Sequence, residues 1–132
     1  MKEEFIYYLW ENRLLHLDLK TTDNEDITIL SVGIRNHDSG ADFVNARIKI
    51  GDALWAGQVE IHVRASDWFK HNHHNDANYD SVILHVVYEN DTDSLKIPTL
   101  EIKDKFNLSL FHKYSWFLNS RNWIPCGEFV GG

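Results

Sequence analysis

Between residues 5 and 15 the apolar positions fall three and four apart. Phe5, Leu9, Trp10 and Leu14 share a face, with Glu4 and Glu11 elsewhere on the cylinder. That spacing predicts an amphipathic helix over 5–15. A polar stretch at 20–26 separates it from 27–34, a β-branched run that predicts a strand. Asn36, Asp38, Ser39 and Gly40 supply turn chemistry, and beyond them the period changes to two. Val44, Ala46, Ile48 and Ile50 alternate with Asn45, Arg47 and Lys49, giving a second strand with one apolar face. After a turn at Gly51-Asp52, residues 54–65 alternate again. Val59, Ile61 and Val63 point one way, and Gln58, Glu60, His62 and Arg64 the other.

Ser66 is placed to cap a short helix through Asp67, Trp68 and Phe69. Residues 71–78 are rich in His and Asn and follow no period. The run 82–88 has few polar residues on either parity, the pattern of a strand covered on both faces. A loop at 90–94 leads to a short outer strand over 97–103, where Pro98 favours an edge position. The aromatic-rich stretch 108–118 predicts a last helix. The order helix, three strands, short helix, one or two strands, helix defines an α/β (α+β) domain, a small mixed β-sheet flanked by helices.

Composition narrows the function classes. The 132 residues carry 20 acidic and 13 basic side chains, a net charge of −7, and are 43% hydrophobic. That is enough for one core in a single domain over 1–132. The longest apolar run, 5–10, falls far short of the ~20 residues a membrane helix needs. The opening MKEEF lacks a leader pattern, so the expectation is a cytoplasmic protein with no membrane partner. The lone Cys126 excludes an internal disulfide and a cysteine-based zinc cage. Acidity argues against indiscriminate binding of DNA or RNA. The charge is uneven, however: residues 1–95 hold 17 acids and 8 bases, and residues 96–132 hold 3 and 5.

The candidate chemistry begins with Asp42, at the start of the second strand, and Glu60-x-His62 within the third. Period-two geometry puts Glu60 and His62 on one face, roughly 7 Å apart along the strand. Two carboxylates there suit one Mg²⁺ or Mn²⁺, and His62 could orient or deprotonate a bound water. The same residues also fit an ordinary solvated strand face. His71, His73 and His74, with Asp76 beside them, carry donors that suit Zn²⁺, or form a polar exposed connection. On a helix His71 and His74 would share a face and His73 would point elsewhere. His85, flanked by apolar residues, reads either as a buried structural histidine or as a group facing His62. Trp10, Trp55, Trp68 and Trp116 are assigned to the core.

The blocks GADF (40–43), WAGQVEIHV (55–63), SDW (66–68) and YDSVILHVV (79–87) resemble an uncharacterised bacterial family, domain of unknown function 2851. Its members are usually longer, which implies that this chain is the N-terminal portion of a longer architecture. Trp123 and Cys126 would then pack on a missing segment. At the level of mechanism, the element order resembles the restriction-endonuclease-like αβββαβ core of the PD-(D/E)XK nuclease superfamily. Asp42 matches the motif aspartate and Glu60 the motif glutamate. Ala41 replaces the motif proline and His62 the motif lysine, a permanent cation for which histidine substitutes only when protonated. A first-helix glutamate, Glu4 or Glu11, would complete the resemblance. A literal Glu101-Ile102-Lys103, with Asp80 upstream, is a competing match ranked behind Glu60-x-His62 because Asn90–Ser94 and Pro98 interrupt the hairpin it needs.

This resemblance implies a divergent metal-dependent phosphodiesterase acting on DNA or RNA, with catalysis altered or lost. Asp42, Glu60 and the carbonyl of Ile61 would hold Mg²⁺ or Mn²⁺, with His62 in the lysine's place and Gln58 and Arg64 near phosphate. Two alternatives stand beside it. One is a non-catalytic module that docks a missing C-terminal domain or self-associates through Phe111, Trp116 and Trp123. The other is a zinc site drawn from His62, His73, His74 and His85.

Overall fold

The computed structural model describes residues 1–123, with side chains through 118. Trp123, as a side chain, and Cys126 lie outside what is described. Helix α1 spans Glu3–Glu11. Strands β1 (Ile27–Ser31), β2 (Ile34–Arg35), β3 (Phe43–Ile50) and β4 (Ala53–Arg64) follow. The short helix α2 (Asp67–Lys70) leads into two 3₁₀ turns, His73–Asn75 and Ala77–Tyr79. The chain continues through β5 (Val82–Glu89) and β6 (Thr99–Glu101) to α3 (Leu108–Trp123). This is a mixed α+β domain, as the alternation predicts, with a sheet of six strands where the sequence predicts four or five.

The sheet order is β1-β3-β4-β5-β6, with β2 also paired to β3. The β1–β3 and β3–β4 pairs are antiparallel, whereas β4–β5 and β5–β6 are parallel. The parallel pairing requires a crossover between β4 and β5, and α2 with the two turns supplies it. That crossover lays residues 66–80 over the outer side of β4, which positions the site.

The core forms where the inner face meets α1. Phe5, Ile6, Leu9 and Trp10 are buried against Ile48, Val59, Ile61, Leu84, Val86 and Leu100. Helix α3 closes the end of this layer, with the Phe111 ring 5.2 Å from that of Phe5. The first helix stops four residues earlier than its periodicity predicts. Asn12 caps it and Arg13 takes a positive φ of 55°, which donates its guanidinium to the carbonyls of Ile29 and Leu30. The predicted strand 27–34 divides at Gly33, where φ is +86° and a Cβ would sit 2.5 Å from the carbonyl oxygen of Val44.

Two aromatic assignments are corrected. Trp10 and Trp68 are buried as expected, but Trp55 is 51% exposed and Trp116 66%. Trp55 sits near the turn of the β3–β4 hairpin, in the part of β4 before its first pair with β5 at Gln58, where residues 53–56 are all exposed. No helix among the described residues is long and apolar enough to cross a membrane.

Candidate metal centre

β4 is buried on both sides along its middle. Glu60 and His62, on the polar parity, are as inaccessible as Val59 and Ile61. An ordinary solvated face is therefore not what the alternation of 58–64 encodes; only Arg64, at the strand's end, is exposed. Gln58 is half-buried at a register shift between β4 and β5, and its backbone N–H donates to the Ser81 carbonyl.

Asp42 enters from the turn before β3. Its backbone N–H donates to Glu60 Oε1 at 3.2 Å, and its Oδ2 accepts the Ile61 N–H at 2.8 Å. The N–H and C=O of one strand residue face the same edge, so the Ile61 carbonyl also turns toward Asp42, beyond the last β3 pair. The Tyr7 hydroxyl lies 3.0 Å from Asp42 Oδ1 and 3.1 Å from Glu3 Oε1. Tyr7 has one proton, so satisfying both contacts needs a second, and Glu3 can hold it. Burial raises the Glu3 carboxyl above its ordinary value. The first-helix glutamate beside the site is thus Glu3, neither Glu4 nor Glu11. It stands one turn before Tyr7, and the helix starts earlier than its apolar pattern indicates.

The other Glu60 oxygen faces histidines. Oε2 is 2.6 Å from His73 Nε2 and 3.7 Å from His62 Nε2. His62 Nε2 is also 3.1 Å from His71 Nδ1. The ligand atoms of His62, His71 and His73 lie within 4.8 Å of one another, and the three could hold a metal ion. His85, fully buried, sits behind His62, with its Nε2 2.8 Å from His62 Nδ1. It supports the cluster from behind.

His74 is left outside. It is exposed, packs its ring 5.2 Å from Phe69 and places Nε2 3.3 Å from Asn75 Nδ2. The reason is Asn72, whose left-handed φ of 59° and ψ of 26° break the helical spacing that would have paired His71 with His74. The turn instead brings His71 and His73 to one side. Asn tolerates that conformation better than most residues, the one trace of this arrangement in the sequence. The competing Asp80 and Glu101 lie toward opposite ends of β5, since Glu101 pairs with Val87 and Asp80 precedes Val82. Glu101 accepts the Asn90 N–H at 2.7 Å.

Electrostatics prepare the donors. Burial pushes His62 down to about 4, helped by His73 and His71, and lowers His73 and His85 as well. Neutral imidazoles keep the lone pairs that metals require. Burial, reinforced by Asp42, drives the Glu60 carboxyl far above the ordinary range, so without a cation this group keeps its proton at neutral pH. A buried carboxyl held neutral among imidazole lone pairs is the environment that a divalent cation would relieve.

Fold and site together define a small mixed α+β domain with a buried carboxylate–histidine cluster. The chain belongs to the family described as "Protein of unknown function (DUF2851)", whose model matches residues 3–131. No curated protein and no solved structure matches it.

Proposed function

We propose that this domain is a metal-dependent phosphodiester hydrolase of the PD-(D/E)XK type whose metal set has moved toward histidine. One observation carries the reading: the ring nitrogens of His62, His71 and His73 lie within 4.8 Å of one another, and Glu60 Oε2 reaches two of them, His73 at 2.6 Å and His62 at 3.7 Å. Further support comes from the topology, three antiparallel strands followed by a crossover to a parallel strand. Asp42 also stands at the start of β3, against Glu60, as the resemblance requires.

Glu60, His62, His71 and His73 would hold the ion. A nitrogen-rich set with one carboxylate suits Zn²⁺ or Mn²⁺ better than Mg²⁺, which prefers oxygen. When bound, the metal supplies a nucleophilic water near neutral pH and neutralises charge on a phosphate oxygen. Asp42, whose two oxygens already accept from Tyr7 and Ile61, holds Glu60 and β4 in place, and the Ile61 carbonyl offers a further oxygen. Arg64, exposed two residues from His62 on the same parity, is placed to meet a phosphate of DNA or RNA.

The test is cleavage of bis(p-nitrophenyl) phosphate, single-stranded DNA and RNA with Zn²⁺ or Mn²⁺ by wild type, Glu60→Gln and His62→Ala. Hydrolysis reduced at least a hundredfold in both variants is expected; wild-type turnover no better than theirs overturns the enzymatic reading. A second reading, a metal-stapled interaction module, draws on the exposed Leu108 and Trp116 of α3. It predicts metal binding with no turnover.

A further inference from the structure

Directly against the cluster is a recess of about 450 Å³ that the chemistry above does not use. Its lining combines aromatic side chains of the crossover, Trp68, Phe69 and Tyr79, with the aliphatic Leu95 and Ile97 from the segment before β6. His73 belongs to both places. Its Nε2 meets Glu60, while its ring stacks on Tyr79 at 3.8 Å between centroids and 21° between planes, and lines the recess. Whatever occupies the recess therefore lies within one side chain of the candidate metal position.

We propose that this recess is a ring subsite: it takes the flat heteroaromatic base of a nucleotide whose phosphate lies at the cluster. The inference rests on the phosphodiester reading above and adds the part of the substrate that is recognised. A recess lined by aromatic rings and branched aliphatic side chains favours a planar ring over a sugar or an extended chain. Its volume lies within the range of small-molecule pockets and admits a purine or pyrimidine nucleoside. The edge of a base carries donors and acceptors, and the rim offers both kinds of partner. Asp80 accepts, Lys96 donates and Ser94 does either. Among the described residues no ion pair occupies Lys96 or Asp80.

Titration calorimetry of the full chain, with and without Zn²⁺, against adenosine 5′-monophosphate, ribose 5-phosphate and adenosine tests this. With metal, the nucleotide is expected to bind roughly tenfold or more tightly than ribose 5-phosphate. Ile97→Trp, which fills the slot, should abolish that preference while leaving ribose 5-phosphate binding unchanged. Ser94→Trp, on the exposed rim, is the second variant should Ile97→Trp lower the melting temperature. Equal affinities for the nucleotide and ribose 5-phosphate, or a preference that survives Ser94→Trp, overturn the ring subsite and leave the metal reading standing. Adenosine binding that Ser94→Trp removes, with no gain from a phosphate or from Zn²⁺, upholds the subsite and refutes the phosphodiester reading. No binding by any of the three overturns the subsite.

Discussion

The imidazole of His85 makes one hydrogen bond, to His62 Nδ1, and its own Nδ1 has no partner although it is fully buried. If His62 ligates through Nε2, its proton must sit on Nδ1 and be donated to His85 Nε2. His85 thus selects the tautomer of His62, a role that partners of metal-bound histidines commonly play. His85→Leu stays close in volume at this fully buried position and removes the acceptor. Zn²⁺ affinity, measured by competition with a chromophoric chelator, should fall about 10- to 100-fold. An unchanged affinity would remove His85 from the site. At this scale the sequence was informative about Glu60 and His62, because a period of two states which side chains share a strand face. It was uninformative about His71, since one left-handed Asn72 decides whether His73 or His74 joins it.

Among the elements, the β4–β5 pair carries the site, and Gly57 shows how closely the two approach. A Cβ there would lie 2.5 Å from Ile83 Cγ2 and 2.8 Å from the Ser81 carbonyl oxygen. Gly57→Ala should destabilise the domain by about 1–3 kcal/mol, the usual cost of overpacking, read from urea unfolding midpoints. A loss under ~0.5 kcal/mol would mean that the strands separate freely here. The crossover turns contrast with these strands: neither buries a residue, and their backbone hydrogen bonds are local. Bound metal would tie them to β4 through His71 and His73. Amide exchange at Asn75, Asp76, Tyr79 and Asp80 is expected to slow on adding Zn²⁺ and to recover with chelator. Exchange insensitive to metal would place the ion elsewhere.

For the whole molecule, the buried titratable groups set opposing pH trends. His62, His73 and His85 are neutral when folded but protonate near 6.5 once unfolded. Their contribution is complete above that value and is lost as pH falls, for His62 down to about 4. Each histidine costs at most about 1.4 kcal/mol per pH unit in that window. Glu60 acts the other way: its folded carboxyl stays protonated where the unfolded one ionises, so its contribution shrinks as pH rises above 4.5. Above 6.5 the histidines are silent and Glu60 remains. Metal-free protein should therefore be most stable near pH 6.5, and Glu60→Gln should flatten the decline from pH 7 to 9. Thermal unfolding in chelator across pH 4–9 checks both, and a wild-type decline equal to that of Glu60→Gln would contradict the assignment. The net charge of −7 bears on none of this, because the decisive carboxyl does not carry its charge when folded without a cation.

The order of elements, the mixed α+β class and the inward parity of β3 and β4 were decided by the sequence alone, because each is a local periodicity imposed by backbone geometry. Only the tertiary structure decided that the polar parity of β4 is buried too. That follows from the crossover lying on it, and a crossover's path depends on contacts between residues far apart in the chain. The choice of Glu3 over Glu4 and Glu11, the gathering of His71 and His73 around His62, and the exposure of Trp55 have the same origin. Side-chain type states what a residue can bind; the fold decides which others it meets there.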